Sequence, residues 1–118
     1  MNYKDLDCWK LAMELVNSVY SITSTFPEVE KFALRTQMNR AVISIPSNIA
    51  EGCARNSDKD IVKFLYIALG SVSELETQLI IAENLKYLSN QEDIYDKIVN
   101  VKKVIIGLIK YLSNKGGK

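Results

Sequence analysis

The chain has no histidine, and it has only two cysteines, two prolines and five glycines in 118 residues. Without histidine the commonest general base and the commonest metal ligand are missing. A serine or cysteine nucleophile with a histidine base cannot be assembled, and the Glu-x-x-His pairs of di-iron bundles are absent. Cys8 and Cys53 lie far apart in sequence with no paired spacing, which gives no zinc pattern and reads as two free thiols. No glycine-rich phosphate loop or dinucleotide fingerprint occurs. The scarcity of helix breakers favours long helices over many turns. No apolar run approaches the roughly 20 residues of a bilayer span. Met1-Asn2-Tyr3-Lys4-Asp5 lacks the basic-then-apolar layout of a signal peptide. These absences are read as a cytoplasmic protein with no membrane contact, no cofactor, no metal and no small-molecule substrate. Catalysis by carboxylates alone, around Glu51 and Glu74, is the one enzymatic chemistry left. Structural ion pairs are far commoner than catalytic ones, so the reading is non-enzymatic.

What is present suits a single α-helical domain over residues 1–118. Hydrophobic residues make up 47% and charged residues 25%, the balance of a soluble globular chain. The net charge of +1 predicts no strong attraction of the whole chain to polyanions. The charge is uneven, however: residues 89–118 carry six lysines against three acids.

Apolar residues recur at helical spacing in four segments. The first stripe is Leu6, Trp9, Met13, Val16 and Tyr20, with Asp5 as a cap and an end near Ser24. The second helix is expected to open at Thr25-Phe26-Pro27-Glu28, with capping-box spacing from Thr25 to Glu28 and Pro27 in the first turn. Its stripe is Leu34, Met38, Ala41, Ile45, Asn48 and Gly52, with Phe32, Val42 and Ile49 alongside. The third opens at Ser57-Asp58-Lys59-Asp60 and runs through Ile61, Phe64/Leu65, Ala68, Val72, Leu75, Leu79 and Ala82. The fourth is expected to open with a capping box at Ser89-Asn90-Gln91-Glu92, with Ile94, Ile98, Val101, Ile105, Leu108 and Leu112 as a heptad. Short connections predict antiparallel neighbours, hence an all-α, antiparallel up-down-up-down four-helix bundle. Residues 114–118 are expected to form a loose tail.

Pro46 falls inside the second pattern. It cannot donate to the Val42 carbonyl, and interior proline costs about 3 kcal/mol. The second helix should therefore kink at Pro46, or stop and restart from a cap at Asn48. Around it lie candidates for a buried polar network: Arg40, Asn48, Glu51, Arg55, Glu74 and Gln78. Such a network is read as fixing helix register and subunit pairing. Gly70 and Gly107 are read as points of close helix approach. For nucleic-acid contact the candidates are Lys31, Arg35, Lys102, Lys103 and Lys110.

Several apolar residues lie off the stripes, among them Ile43, Ile67, Ile80, Ile81 and Ile106. Such excess predicts self-association.

The motifs Trp9-Lys10-Leu11-Ala12-Met13, Phe26-Pro27, Asn39-Arg40-Ala41, Ser44-Ile45-Pro46-Ser47-Asn48-Ile49-Ala50-Glu51-Gly52 with Arg55, and Gly70-Ser71 followed by Glu74-Leu75-Glu76-Thr77-Gln78 resemble those of the proteins named for the intervening sequences of bacterial 23S ribosomal RNA genes. The resemblance covers about Asp5 to Leu88. It implies a small bacterial cytoplasmic four-helix bundle that assembles as a homopentameric ring, with no established biochemical role. A related pentameric family assists the reverse transcriptase of diversity-generating retroelements and binds nucleic acid, which makes RNA an implied partner.

Overall fold

The computed structural model describes residues 1–30 and 33–116, and it is built from four helices: α1 (Asp7–Thr23), α2 (Leu34–Cys53), α3 (Asp58–Asn84) and α4 (Glu92–Gly116). Among the described residues there is no strand. Helix α1 packs on α2 and α4, and α3 packs on α2 and α4, while among the described residues the backbones of the diagonal pairs α1–α3 and α2–α4 stay farther apart. The bundle is thus a four-cornered arrangement with the order α1, α2, α3, α4 around it. Glu83 meets Tyr95, Glu76 meets Lys102 and Asp58 meets Lys115. These contacts run in opposite order along α3 and α4, as in an antiparallel pair. One core cluster draws on every helix, with Leu15, Met38, Ile45, Leu65, Leu75, Ile98 and Ile105 among its fully buried members.

The core positions of α2 and α3 follow the expected stripes, except that Leu34 and Asn48 of the α2 stripe are only half-buried. Those of α1 do not. Its buried face is Cys8, Ala12, Leu15, Val19 and Thr23, whereas Met13 and Tyr20 of the expected stripe are exposed and Trp9 and Val16 half-buried. Helix α1 carries two apolar stripes about one residue apart around the wheel. The core takes the one with smaller side chains, and the bulkier stripe is left at the surface. In α4 the buried run is Ile94, Ile98, Val101, Ile105, Ile109 and Leu112, with Leu108 displaced to the margin.

Helix ends follow local hydrogen bonding. Ser57 caps α3 by accepting from the Asp60 N–H, as its spacing predicts. The start of α2 differs from expectation. Thr25 donates back to the Ile22 carbonyl and closes α1, Glu28–Glu30 form a 3₁₀ turn, and the Glu30 carboxylate accepts from the Leu34 N–H at the true start of α2. Asp5 ends a short 3₁₀ turn (Tyr3–Asp5), so the cap position of α1 falls to Leu6, which supplies no side-chain bond. Ser89 is no cap either. Asn90 is left-handed (φ 51°), and the Gln91 carbonyl accepts the first helical bond, from Tyr95. Helix α4 continues through Asn114 and Lys115 to Gly116, where a loose tail was expected. Residues 117 and 118 and the stripe residue Phe32 lie outside the described residues.

At the end of α3 the Lys86 N–H bonds Glu83 O and the Tyr87 N–H bonds Ala82 O, the pair of bonds of a Schellman motif. Lys86 occupies its left-handed position (φ 65°), which costs a residue with a Cβ about 1–2 kcal/mol. Lys86→Gly is therefore expected to raise stability by about 0.5–1 kcal/mol after the unfolded-state cost of glycine. Urea unfolding checks this. At the same end Phe26 packs on Tyr87, ring centres 5.5 Å apart, and the Tyr87 hydroxyl donates to Glu30. The α1–α2 and α3–α4 connections are thus tied together.

By length and mean hydropathy (1.3) α3 could cross a membrane, against the expectation that no segment approaches that size. Its apolar residues include Leu65, Ala68, Val72, Leu75 and Leu79, all in the bundle core.

Candidate functional site

The proline-centred motif lies on the α2 face toward α3. Helix α2 runs through Pro46 without a break, so Asn48 is not the cap of a restarted helix. Its amide reaches back one turn, donating to the Ser44 carbonyl (2.8 Å) and the Ser44 hydroxyl (2.9 Å). The Ser44 hydroxyl pairs with that of Ser71 on α3 (2.8 Å), and Ser71 also donates to Ile67 O. A polar bridge therefore crosses the α2–α3 seam within one turn of the proline.

The other expected network members stand apart from this bridge. Glu51 and Arg55 form an exposed i,i+4 ion pair at 3.1 Å, worth at most about 0.5 kcal/mol. The Arg55 guanidinium also lies over the Phe64 ring at 4.6 Å. Arg40 and Glu74 flank one shallow depression with Gln37, Ala41 and Ser44. Among the described residues no hydrogen bond or ion pair joins either of them to a partner. Gln78 is buried and its Oε1 has no partner among the described residues. The six residues thus do not form one network. The physical reason is local: an asparagine four residues after a serine in a helix finds a partner on its own helix before it reaches across. A buried, unpaired amide carbonyl costs about 1–3 kcal/mol. Gln78→Met keeps the volume and removes that group, so it is expected to raise stability by about 1 kcal/mol. A lower thermal midpoint would show that Gln78 is satisfied in solution.

The basic candidates do not form one patch. Lys102 pairs with Glu76 at 2.9 Å, both about one-third exposed. Arg35 is half-buried at the start of α2, and Lys31 lies outside the described residues. Lys103 and Lys110 are exposed on α4, two turns apart.

Among the described residues Gly70 and Gly107 meet nothing within 4 Å of an added Cβ, so neither is the point of close helix approach expected of it. Gly52 is the close-packing position: a Cβ there would sit 2.8 Å from the Phe64 Cβ.

Sequence reasoning expected surplus apolar surface from the off-stripe isoleucines but did not place it in two strips. The first runs along the α1–α2 seam. Thr23 donates to Asn39 (2.8 Å) and Met1 touches Cys53, contacts that run in opposite order along the two helices and set Tyr20 level with Ile43. With Trp9, Met13 and Val16 these form a row, Tyr20 and Ile43 each 42% exposed. The second lies on the α3–α4 seam, where Ile80, Val99 and Ile106 are exposed around the Glu76–Lys102 pair. In the four-cornered order these seams are on opposite sides of the molecule. The signal in the sequence was the duplicate stripe of α1 and the off-stripe isoleucines.

The family model described as "23S rRNA-intervening sequence protein" matches residues 4–107. No curated protein matches the chain. A solved structure from Bacteroides thetaiotaomicron, described as a protein of unknown function from the S23 ribosomal protein family, superposes with a TM-score of 0.81. It is 24% identical and the match covers 93% of this chain and 99% of that one, a likeness of fold.

Proposed function

Because the chain belongs to the 23S rRNA-intervening sequence protein family, whose biochemical role is not established, we propose that it is a non-enzymatic, self-assembling cytoplasmic building block. The α1–α2 seam of one copy covers the α3–α4 seam of the next. The observation that carries this is the pair of unlike apolar strips on opposite sides of one molecule. Exposed apolar surface of this kind seeks a partner. Two unlike patches give head-to-tail contacts, which close into a ring when the rotation allows. The family resemblance supports five copies in that ring. Sedimentation velocity and light scattering at micromolar concentration test this, with a particle of five copies as the expected result. A monomer across the whole range overturns it.

A second reading is RNA contact, favoured by the family's name and by Lys103 and Lys110, exposed on α4 and without partners among the described residues. Repetition around a ring would multiply this pair of charges. It predicts association with structured RNA that falls steeply with salt and is lost in the Lys103→Glu, Lys110→Glu double variant. No mobility shift at low salt would exclude it.

A further inference from the structure

Two sulfur atoms meet where α1 begins and α2 ends, and the packing of the two helices brings a third to the same level. Cys53 Sγ lies 3.9 Å from Met1 Sδ. Cys8 lies level with Cys53: it is fifteen residues before Thr23 on α1, and Cys53 is fourteen after Asn39 on α2, the two residues whose side chains bond across the pair. Cys8 is 1% exposed, Cys53 half-buried and Met1 62% exposed, so the donors line a path from solvent to the core edge.

We propose that Cys8, Cys53 and Met1 form a binding site for one soft monovalent d¹⁰ cation, copper(I), held by two thiolates and a thioether. The donor set selects the ion. Thiolate and thioether sulfur favour copper(I), while zinc, magnesium and calcium want nitrogen or oxygen ligands or four thiolates. Among the described residues no three of Cys, Asp and Glu cluster as an alternative site. Three sulfurs bonded to one ion at about 2.3 Å stand about 4 Å apart in a trigonal arrangement, close to the Met1–Cys53 spacing.

Burial, and next the Cys53 thiol, hold the Cys8 thiol up at about 11, against the N–H groups of Trp9 and Cys8, which lower it. Burial also raises Cys53. Both are therefore thiols until an ion arrives. Binding releases two protons, one from each Sγ, and leaves a CuS₃ unit of net charge −1 facing the helix N–H groups.

The test is an anaerobic titration of the full chain with copper(I) against a chromogenic chelator. One copper per chain should be withdrawn from the chelator. Cys53→Ser, at a half-buried position that keeps the fold, should weaken retention at least about a hundredfold, as should Cys8→Ala with its helical circular dichroism intact. X-ray absorption on protein whose methionines are replaced by selenomethionine should show two sulfur neighbours and one selenium. Copper left on the chelator, equal retention by the cysteine variants, or no selenium neighbour would each overturn the site.

Discussion

Gly52→Ala is expected to destabilise the protein by about 1–3 kcal/mol, although alanine is the better helix former. The new Cβ would lie 2.8 Å from the Phe64 Cβ and 3.3 Å from the Ile61 carbonyl oxygen. Neither atom is the free end of a flexible chain, so relief requires α2 and α3 to separate. Separation here disturbs Ile49, Ile61 and Leu65, which are all in the core. It also loosens the Arg55 guanidinium over Phe64. The control is Gly70→Ala, also in a helix interior but with open space around the added carbon. That change should stabilise by about 0.5–1 kcal/mol. Urea denaturation of the two variants should therefore move the midpoint in opposite directions. A shift of both to higher urea would mean that the close approach at Gly52 does not exist in solution.

The second large effect concerns assembly. Tyr20→Asp combined with Ile43→Asp places two like charges in the α1–α2 strip, where each wild-type residue is only partly exposed in one molecule and would be covered in an assembly. Desolvating unpaired charge is costly, so association should weaken at least about a hundredfold while the helical spectrum stays unchanged. Ile80→Asp combined with Val99→Asp should do the same from the opposite side. Head-to-tail pairing makes a sharper demand. Mixing the two variants leaves one intact junction, α1–α2 of the second variant on α3–α4 of the first, and should yield a one-to-one dimer and nothing larger. If like seams pair with like, each variant alone will still dimerise and mixing will change nothing.

Much of the fold was legible because α2 and α3 have one apolar stripe each and Ser57 stands at the one position where a hydroxyl can accept from the Asp60 N–H. Helix α1 misled because two stripes compete, and hydrophobicity alone favours the larger side chains while close packing favours Cys8 and Ala12. The starts of α2 and α4 were displaced because Thr25 and Ser89 match a cap in spacing only. The first closes the preceding helix, and the second precedes a left-handed residue. Of the six polar residues expected to converge, Glu51 and Arg55 meet each other, Asn48 meets Ser44 and Gln78 has an unmet oxygen. Helical spacing places residues on a face but does not choose among partners on that face. The Cys8–Cys53–Met1 grouping was invisible for another reason: it depends on how far one helix slides along its neighbour, and no local pattern encodes that.

The aromatic clasp of Phe26 on Tyr87, with its bond to Glu30, makes the molecule mechanically lopsided. Both interhelical turns at that end are buttoned together, whereas the far end is held by the Met1–Cys53 contact, the Arg55 guanidinium over Phe64 and an exposed lysine–aspartate pair. Breathing motions therefore spread like the covers of a book from a bound spine. Amide protons near the beginning of α1 and the close of α4 should exchange with deuterium soonest, and those beside the clasp last.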